Sequence, residues 1–520
     1  MEIDSLTRHT PLKRPWKNGI AVGRAYDLMR SDLQDHLRWL QREVGFRSCR
    51  FHALFHDDMN VVQRCGDKLV YQWHHVDKIY DFLLSIGLKP FVELNPMPAA
   101  LASGPDTMFF YQMNITPPRV WSEWQDLVAA FAEHCVARYG LTEVRSWNFE
   151  VWNEPNLSGF WSGNKEDYFQ LYAHAARGVK SVDGALKIGG PASSKAYWLA
   201  DLIEYCQREN VPIDFVSTHL YPQDEFVEHA DRESSPHAAG QFFQDTVRAA
   251  KATVEASSMP HLPIHWTEWN TQLATSAKDV TWGNNRYVDS LHAGSFVARQ
   301  MVELDDAAET FTYWVASDIF EEGPIPSTPF SSTYGLLTIH GLPKASGNAF
   351  RFLERLRGPR LGIKSENFLP FCGAVATQEG DSIHVLLWND VPPEVISPVT
   401  WNEKICLKLP QFSPEKWLLT RSCIRAGAGS AFESWEAIGK PIELSPSQLD
   451  AFRVQSEPAV SFELLELAES GIEMNVTLGP NEVLHLELRA CADSADQSNV
   501  LQSAEETAKL EAQLGEISRA

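Results

Sequence analysis

The chain has 520 residues, 44% of them apolar, enough for two or more domains with sizeable cores. A formal net charge of −23 argues against nucleic acid and anionic membranes as partners, and no apolar run approaches the roughly 18–20 residues of a membrane span. No signal peptide is expected at Met1-Glu2-Ile3-Asp4, and eight scattered cysteines without a CxxC pair read as reduced thiols, so the cytoplasm is the default compartment.

Residues 1–17 hold two prolines and no clear period, and are expected to run alongside a later domain. From 18 to 357 strand and helix alternate. Gly19 to Arg24 reads as a first strand. Ser31-Asp32-Leu33-Gln34 resembles a capping box, and Leu33, Leu37, Leu40 and Val44 fall on one helical face that Gly45 ends. Phe46 to Phe51 is strand two, and Val76 to Leu84 the next helix. Leu88 to Leu94 is strand three, Trp121 to Tyr139 a third helix, and Trp147 to Trp152 strand four. Strands five to eight are expected at Leu186–Gly190, Asp214–His219, Pro263–Glu268 and Thr310–Val315, each followed by a helix, the last at Ala345–Leu356. Eight such units predict an α/β fold, a (β/α)8 TIM barrel, and no glycine-rich dinucleotide fingerprint follows the first strand.

Beyond 358 the texture changes. Ile383, Val385 and Leu387, then Ile405, Leu407 and Leu409, then Leu484, Leu486 and Leu488 alternate with other residues, which predicts a C-terminal all-β sandwich over 358–490. The acidic tail, 491–520, reads as helical or mobile, with Leu510, Leu514 and Ile517 on one face.

A barrel of this kind gathers its chemistry at the carboxyl ends of its strands. There the sequence places Arg50-Phe51-His52, Glu93-Leu94-Asn95, Asn153-Glu154, His219-Leu220-Tyr221, Thr267-Glu268-Trp269-Asn270 and, after Trp314, Ser317-Asp318-Ile319-Phe320-Glu321-Glu322. Glycoside hydrolysis needs one carboxylic acid held protonated and one carboxylate held ionised. Glu154 and Glu268 are the candidates, with Trp152 expected as an apolar wall that raises the acid's pKa. Seventeen tryptophans fit a sugar-stacking surface in addition to core. The His74-His75 pair and His56 beside Asp57-Asp58 lack a third group at ligand spacing, so no metal is expected.

These residues resemble glycoside hydrolase family 39, the β-xylosidase family, within the clan of barrel glycosidases with catalytic Glu on strands four and seven. The likeness rests on Trp152-Asn153-Glu154-Pro155-Asn156 and Thr267-Glu268-Trp269-Asn270. It extends in order through Gly45-Phe46, Arg50-Phe51-His52, His56-Asp57-Asp58-Met59, Asn114-Ile115-Thr116-Pro117-Pro118, Ser217-Thr218-His219 and Tyr313-Trp314 with the stretch to Glu322. The resemblance implies a retaining exo-glycosidase, most simply a β-xylosidase acting on xylo-oligosaccharides, without cofactor; an α-L-arabinosidase or another polysaccharide-acting glycosidase is the alternative. It implies Glu154 as general acid/base and Glu268 as nucleophile, about 5–5.5 Å apart. Asn153 is then expected on the sugar 2-hydroxyl and Tyr221 on Glu268. His52, His219, Trp314, Glu321 and Glu322 are expected to line the −1 subsite, with Phe110 shaping the pocket.

Two positions depart from the family pattern. Ala53 stands where relatives often have Gly, and Ala316 where an aromatic is more usual. The family also includes α-L-iduronidases, whose substrate carboxylate calls for cations; Glu321 and Glu322 favour a neutral pentose instead. A non-catalytic sugar-binding protein would not need both carboxylates, and a barrel isomerase or oxidoreductase would need a metal or nucleotide motif.

Overall fold

A computed structural model describes residues 1–224, 236–273, 286–365, 369–392, 399–410, 413–469 and 471–491. Eight parallel strands close into a barrel in chain order: Ile20–Arg24, Ser48–His52, Lys89–Leu94, Asn148–Val151, Lys187–Ser194, Phe215–His219, Ile264–Trp269 and Thr310–Tyr313. Each strand is followed by helix. Trp121–Tyr139 matches the expected span, and Leu291–Glu303 and Ala345–Glu354 follow strands seven and eight. The expected capping box at Ser31 does not form: Ser31 is already helical, Arg30 is the N-cap with no side-chain cap bond, and Gln34 Nε2 donates to the Leu28 carbonyl instead. A capping box does start the helix Lys165–Val182, where Asn164 and Asp167 exchange bonds.

The barrel interior is layered. At its amino-terminal end Phe91, Phe215 and His265, from strands three, six and seven, meet edge to face with ring centroids 5.0–5.8 Å apart. A ring from strand three can meet rings from strands six and seven only inside the barrel, so this layer is its floor. Gly189 on strand five makes room for it, because a Cβ there would collide with the Phe215 ring and carbonyl. Above the floor the inward positions are polar and buried: Arg50, Glu93, Glu150 and Thr267. Tryptophan fills the layer between strands and helices, with Trp124, Trp147, Trp152, Trp161, Trp266 and Trp269 all buried.

The C-terminal module is a ten-stranded mixed sheet with its own core, in which Ile3, Ile405, Leu407 and Leu478 join Val385, Leu387, Leu486 and Leu488. Glu2–His9 belongs to this sheet. It runs antiparallel to Arg360–Lys364 and parallel to Trp401–Lys408 before the chain enters the barrel. The module is not purely β. Two helices, Phe432–Ala437 and Pro446–Gln455, interrupt it, and Phe432, Trp435 and Phe452 form a small cluster with Phe330 and Leu342 from the barrel's last loop. The expected helical face at Leu510, Leu514 and Ile517 lies outside the described residues.

Barrel and sheet share an apolar seam: Val375, Leu386, Trp388, Ile424 and Val483 of the sheet belong to the barrel's core cluster. Asn348 on the last barrel helix adds a polar tie, donating from Nδ2 to the carbonyls of Gly429 (3.0 Å) and Ser456 (2.7 Å). Asn348→Ala removes the donor from both and should cost about 1–3 kcal/mol, read as a lower urea midpoint; an unchanged midpoint would show that water replaces the tie.

Candidate active site

The carboxyl-terminal rim is built around one guanidinium. Arg50, fully buried on strand two, donates Nε to Glu150 Oε2 (2.6 Å), Nη1 to Glu268 Oε1 (2.7 Å) and Nη2 to Asn153 Oδ1 (3.0 Å). Nη2 also lies 2.6 Å from Glu93 Oε2. Its planar fork thus gathers strands two, three, four and seven, a task a lysine ammonium cannot do with the same geometry.

Local irregularities aim the reacting groups. Thr218 pairs with Trp266 and His219 with Glu268, while Phe311 pairs with Trp266 and Tyr313 with Trp269. Strand seven therefore carries one residue more than either neighbour over this stretch. That bulge lets two consecutive side chains, Thr267 and Glu268, both turn inward. A second bulge on strand five leaves Ala192 with φ 53°, and its carbonyl accepts the Glu154 amide proton at 2.8 Å. Trp152 (φ 70°), Glu154 (φ 42°) and Ala53 (φ 66°) also sit in the left-handed region, so the rim backbone is held where L-residues are strained. For Ala53 this gives the departure from glycine its physical meaning, since glycine enters that region without cost.

Glu268 accepts from Arg50 and, at Oε2, from the Tyr221 hydroxyl at 2.6 Å. Burial pushes its carboxyl up, but Arg50 and Tyr221 oppose the shift. Among the described residues no lysine or arginine pairs with Glu154, although the Arg50 charge works to lower its pKa. Burial drives its carboxyl well above the ordinary range, and the charges of Glu268, Asp224 and Glu322 push the same way. The environments thus separate two like side chains: Glu154 holds its proton the more strongly and Glu268 ionises the more readily. An oxygen of Glu154, an oxygen of Glu268 and a ring nitrogen of His219 lie within 4.8 Å of one another.

His219 places Nδ1 at 3.1 Å from Glu154 Oε1 and Nε2 at 3.1 Å from Thr267 Oγ1. His52 has Nδ1 at 2.9 Å from both Glu93 oxygens and Nε2 at 3.6 Å from Glu268 Oε1. Burial pushes His52 down to about 3, so its ring is neutral. The Trp314 ring stands 4.5 Å from it. Asn153 accepts from Arg50 through its oxygen, which leaves the NH2 as its donor end. Glu322 Oε1 is 4.0 Å from His52 Nε2, and burial with the nearby Glu268 charge holds its carboxyl well above the usual range.

Not every expected residue converges. Glu321 turns to Arg24, with Oε2 at 2.6 Å from Nη2, and Arg24 also reaches Asp58 Oδ2 at 2.6 Å. Phe110 is two-thirds exposed, and it is Phe109 that stacks over His52 at 6.3 Å. Trp152 packs edge-on against Trp161 and Trp124 and donates to the Phe160 carbonyl, so it faces the helix layer and the Glu154 shift comes from burial and neighbouring carboxylates. Sequence reasoning placed Arg50, Glu93 and Thr267 on this rim without giving them a role, and it missed Glu150. The available signal was charge at the inward, alternate positions of strands two to four.

Glu154, His219 and Glu268 are also the one group among the described residues close enough to share a metal ion. They fit it poorly: Glu268 is already neutralised by Arg50, and a cation there would lie beside a guanidinium.

The glycosyl hydrolases family 39 profile matches residues 1–464. A β-xylosidase of Caldicellulosiruptor saccharolyticus is 40% identical over 397 residues, 76% of this chain and 79% of that protein. A β-xylosidase of Geobacillus stearothermophilus is 33% identical over 492 residues, 92% of this chain and 94% of that protein. The crystal structure of the GH39 enzyme from Xanthomonas axonopodis pv. citri superposes with a TM-score of 0.84 at 28% identity, covering 94% of this chain and 97% of that one.

Arg50→Met strips the cation from three buried carboxylates and should cost about 3–5 kcal/mol. A carboxylate without its cation has a raised folded-state pKa, so the deficit is full near neutral pH and shrinks as acid protonates the group. Denaturation at neutral and mildly acidic pH checks this; a deficit that grows on acidification would contradict it.

Proposed function

The chain belongs to glycosyl hydrolase family 39, and we propose that within it this protein is a retaining exo-β-xylosidase that releases xylose from the non-reducing end of xylo-oligosaccharides or xylosides. It is a glycosidase acting on carbohydrate. The observation that carries the mechanism is the pair of carboxyl groups, close together and differently tuned. Retaining enzymes hold them about 5–5.5 Å apart, whereas inverting enzymes need about 6.5–9.5 Å to seat a water. Oxygens within 4.8 Å support the retaining arrangement.

In the first step Glu268, ionised against Arg50 and Tyr221, attacks the anomeric carbon. Glu154 gives its proton to the glycosidic oxygen as the C–O bond breaks. Glu154, now a carboxylate, then takes a proton from water, which attacks the glycosyl-enzyme and frees Glu268. Asn153 presents its NH2 to the sugar 2-hydroxyl. His52, His219, Trp314 and Glu322 line the −1 subsite, with Glu321 behind it on Arg24.

The charge pattern supports a neutral sugar. Arg50 is ringed by Glu93, Glu150 and Glu268, and Arg24 by Asp27, Asp58 and Glu321. A uronate would meet Glu322 without a free guanidinium to receive its carboxylate among the described residues of this rim.

Glu268→Ala should abolish turnover; normal activity in that variant would sink the nucleophile assignment. Glu154→Ala should slow substrates with poor leaving groups by about 10²–10⁴-fold and activated aryl glycosides far less, with equal losses counting against the acid role. On wild-type enzyme, aryl β-xyloside should be cleaved in preference to aryl α-L-arabinoside, and NMR should show β-xylose as the first-formed product; initial α-xylose would rule out retention.

A further inference from the structure

Two side chains below the reacting pair have polar contacts that the mechanism leaves unused, Glu150 and Thr267. Both are fully buried. Glu150 Oε2 accepts from Arg50 Nε at 2.6 Å, and Glu150 Oε1 accepts from the Thr267 hydroxyl at 2.7 Å. A threonine has one hydroxyl proton. With that proton given to Glu150 Oε1, Thr267 Oγ1 can only accept from His219 Nε2, 3.1 Å away. His219 is kept neutral by burial and by Arg50, so a proton on Nε2 leaves Nδ1 a lone pair. That lone pair faces Glu154 Oε1 at 3.1 Å.

We infer that Glu150 and Thr267 are positioning residues whose hydrogen bonds fix His219 as the Nε2–H tautomer, so that its Nδ1 accepts the proton of Glu154 and holds the acid in its protonated form. This rests on the reading of Glu154 as the general acid. The opposite polarity would put two acceptors, Thr267 Oγ1 and Glu150 Oε1, face to face without a proton. One buried arginine thereby bears on both carboxyl groups. It favours ionised Glu268 by direct contact. Its charge also works to lower the pKa of Glu154, and the chain of four hydrogen bonds that starts on it works the other way by favouring the protonated Glu154. When Glu154 has given its proton to the leaving oxygen, its carboxylate faces the same lone pair, which favours recovery of a proton from the attacking water.

Two variants separate this role from mere packing. Thr267→Val keeps the shape and removes the hydroxyl, so His219 is free to put its proton on Nδ1 and donate to ionised Glu154. Glu150→Gln keeps its carbonyl oxygen on Arg50 and turns its NH2 to Thr267, which reverses the direction of every bond up to His219. A donor facing the charged form lowers a carboxyl pKa. The alkaline limb of kcat/KM, measured with an unactivated aryl xyloside, should therefore move down by about one pH unit in both variants. The groups that also face this pair (Arg50, His52, Tyr221, Asp224, Glu268 and Glu322) are unchanged. Activity on a dinitrophenyl xyloside should fall far less, and Thr267→Ser should restore the limb.

Folded variants with an unmoved limb, or an equal loss on both substrates, would overturn the relay. If Thr267→Val does not fold, Glu150→Gln and Thr267→Ser carry the test. The Glu154→Ala profile keeps the two readings apart. If the wild-type alkaline limb persists in it, the acid assignment fails; if that limb vanishes while Glu150→Gln leaves it in place, only the relay fails.

Discussion

A single buried cation among carboxylates is the constraint on which this rim depends. Arg50 touches Glu93, Glu150 and Glu268. Taking these charges out of water is expensive, and mutual attraction offsets the expense only where geometry is good and remaining lone pairs are occupied. The rim meets that condition by giving nearly every carboxylate oxygen a donor: His52 on Glu93, Thr267 on Glu150, Tyr221 on Glu268. The reactive pair is then a by-product of one arrangement. The carboxyl group that reaches the guanidinium ionises more readily, and the one that does not holds its proton more strongly.

Such a network needs a rigid surround, and the tryptophan-rich layer provides it. Trp152, Trp161 and Trp124 interlock edge to face behind strand four, and Trp269, Phe311, Tyr313 and Phe350 do so behind strands seven and eight. Much of the aromatic excess in the composition is therefore wall rather than sugar platform. Trp314 differs, lying over His52 at the pocket.

The eight strand–helix units are legible in the sequence because each helix has one apolar stripe and each strand is short and β-favouring. The pairing of Glu154 with Glu268 is legible from the motifs around them. The network beneath is not, for a physical reason. Arg50, Glu93 and Glu150 look like ordinary charges on half-buried strands until closure of the barrel points them at one another. The bulge at Thr267 is equally hidden, because strict alternation would send Thr267 and Glu268 to opposite faces. Glu321 and Glu322 show the limit of reading a motif without a backbone: adjacent and chemically identical, one meets Arg24 and the other the pocket. Ser31 shows it for a local rule, since the helix begins one residue earlier than a capping box there requires.

The strand Glu2–His9 sits between Arg360–Lys364 and Trp401–Lys408 in the finished sheet. It comes before the barrel in the chain, and its partners follow only after the whole barrel has been made. Throughout that interval it is an open strand edge beside a growing chain, a state prone to mispairing. Once the sheet closes, both sequence ends of the enzyme domain are tied to one module, and the barrel becomes a closed loop held at its neck. The accessory sheet therefore acts as a clasp: it confines the unfolded barrel as a cross-link would, through main-chain bonds rather than covalent ones.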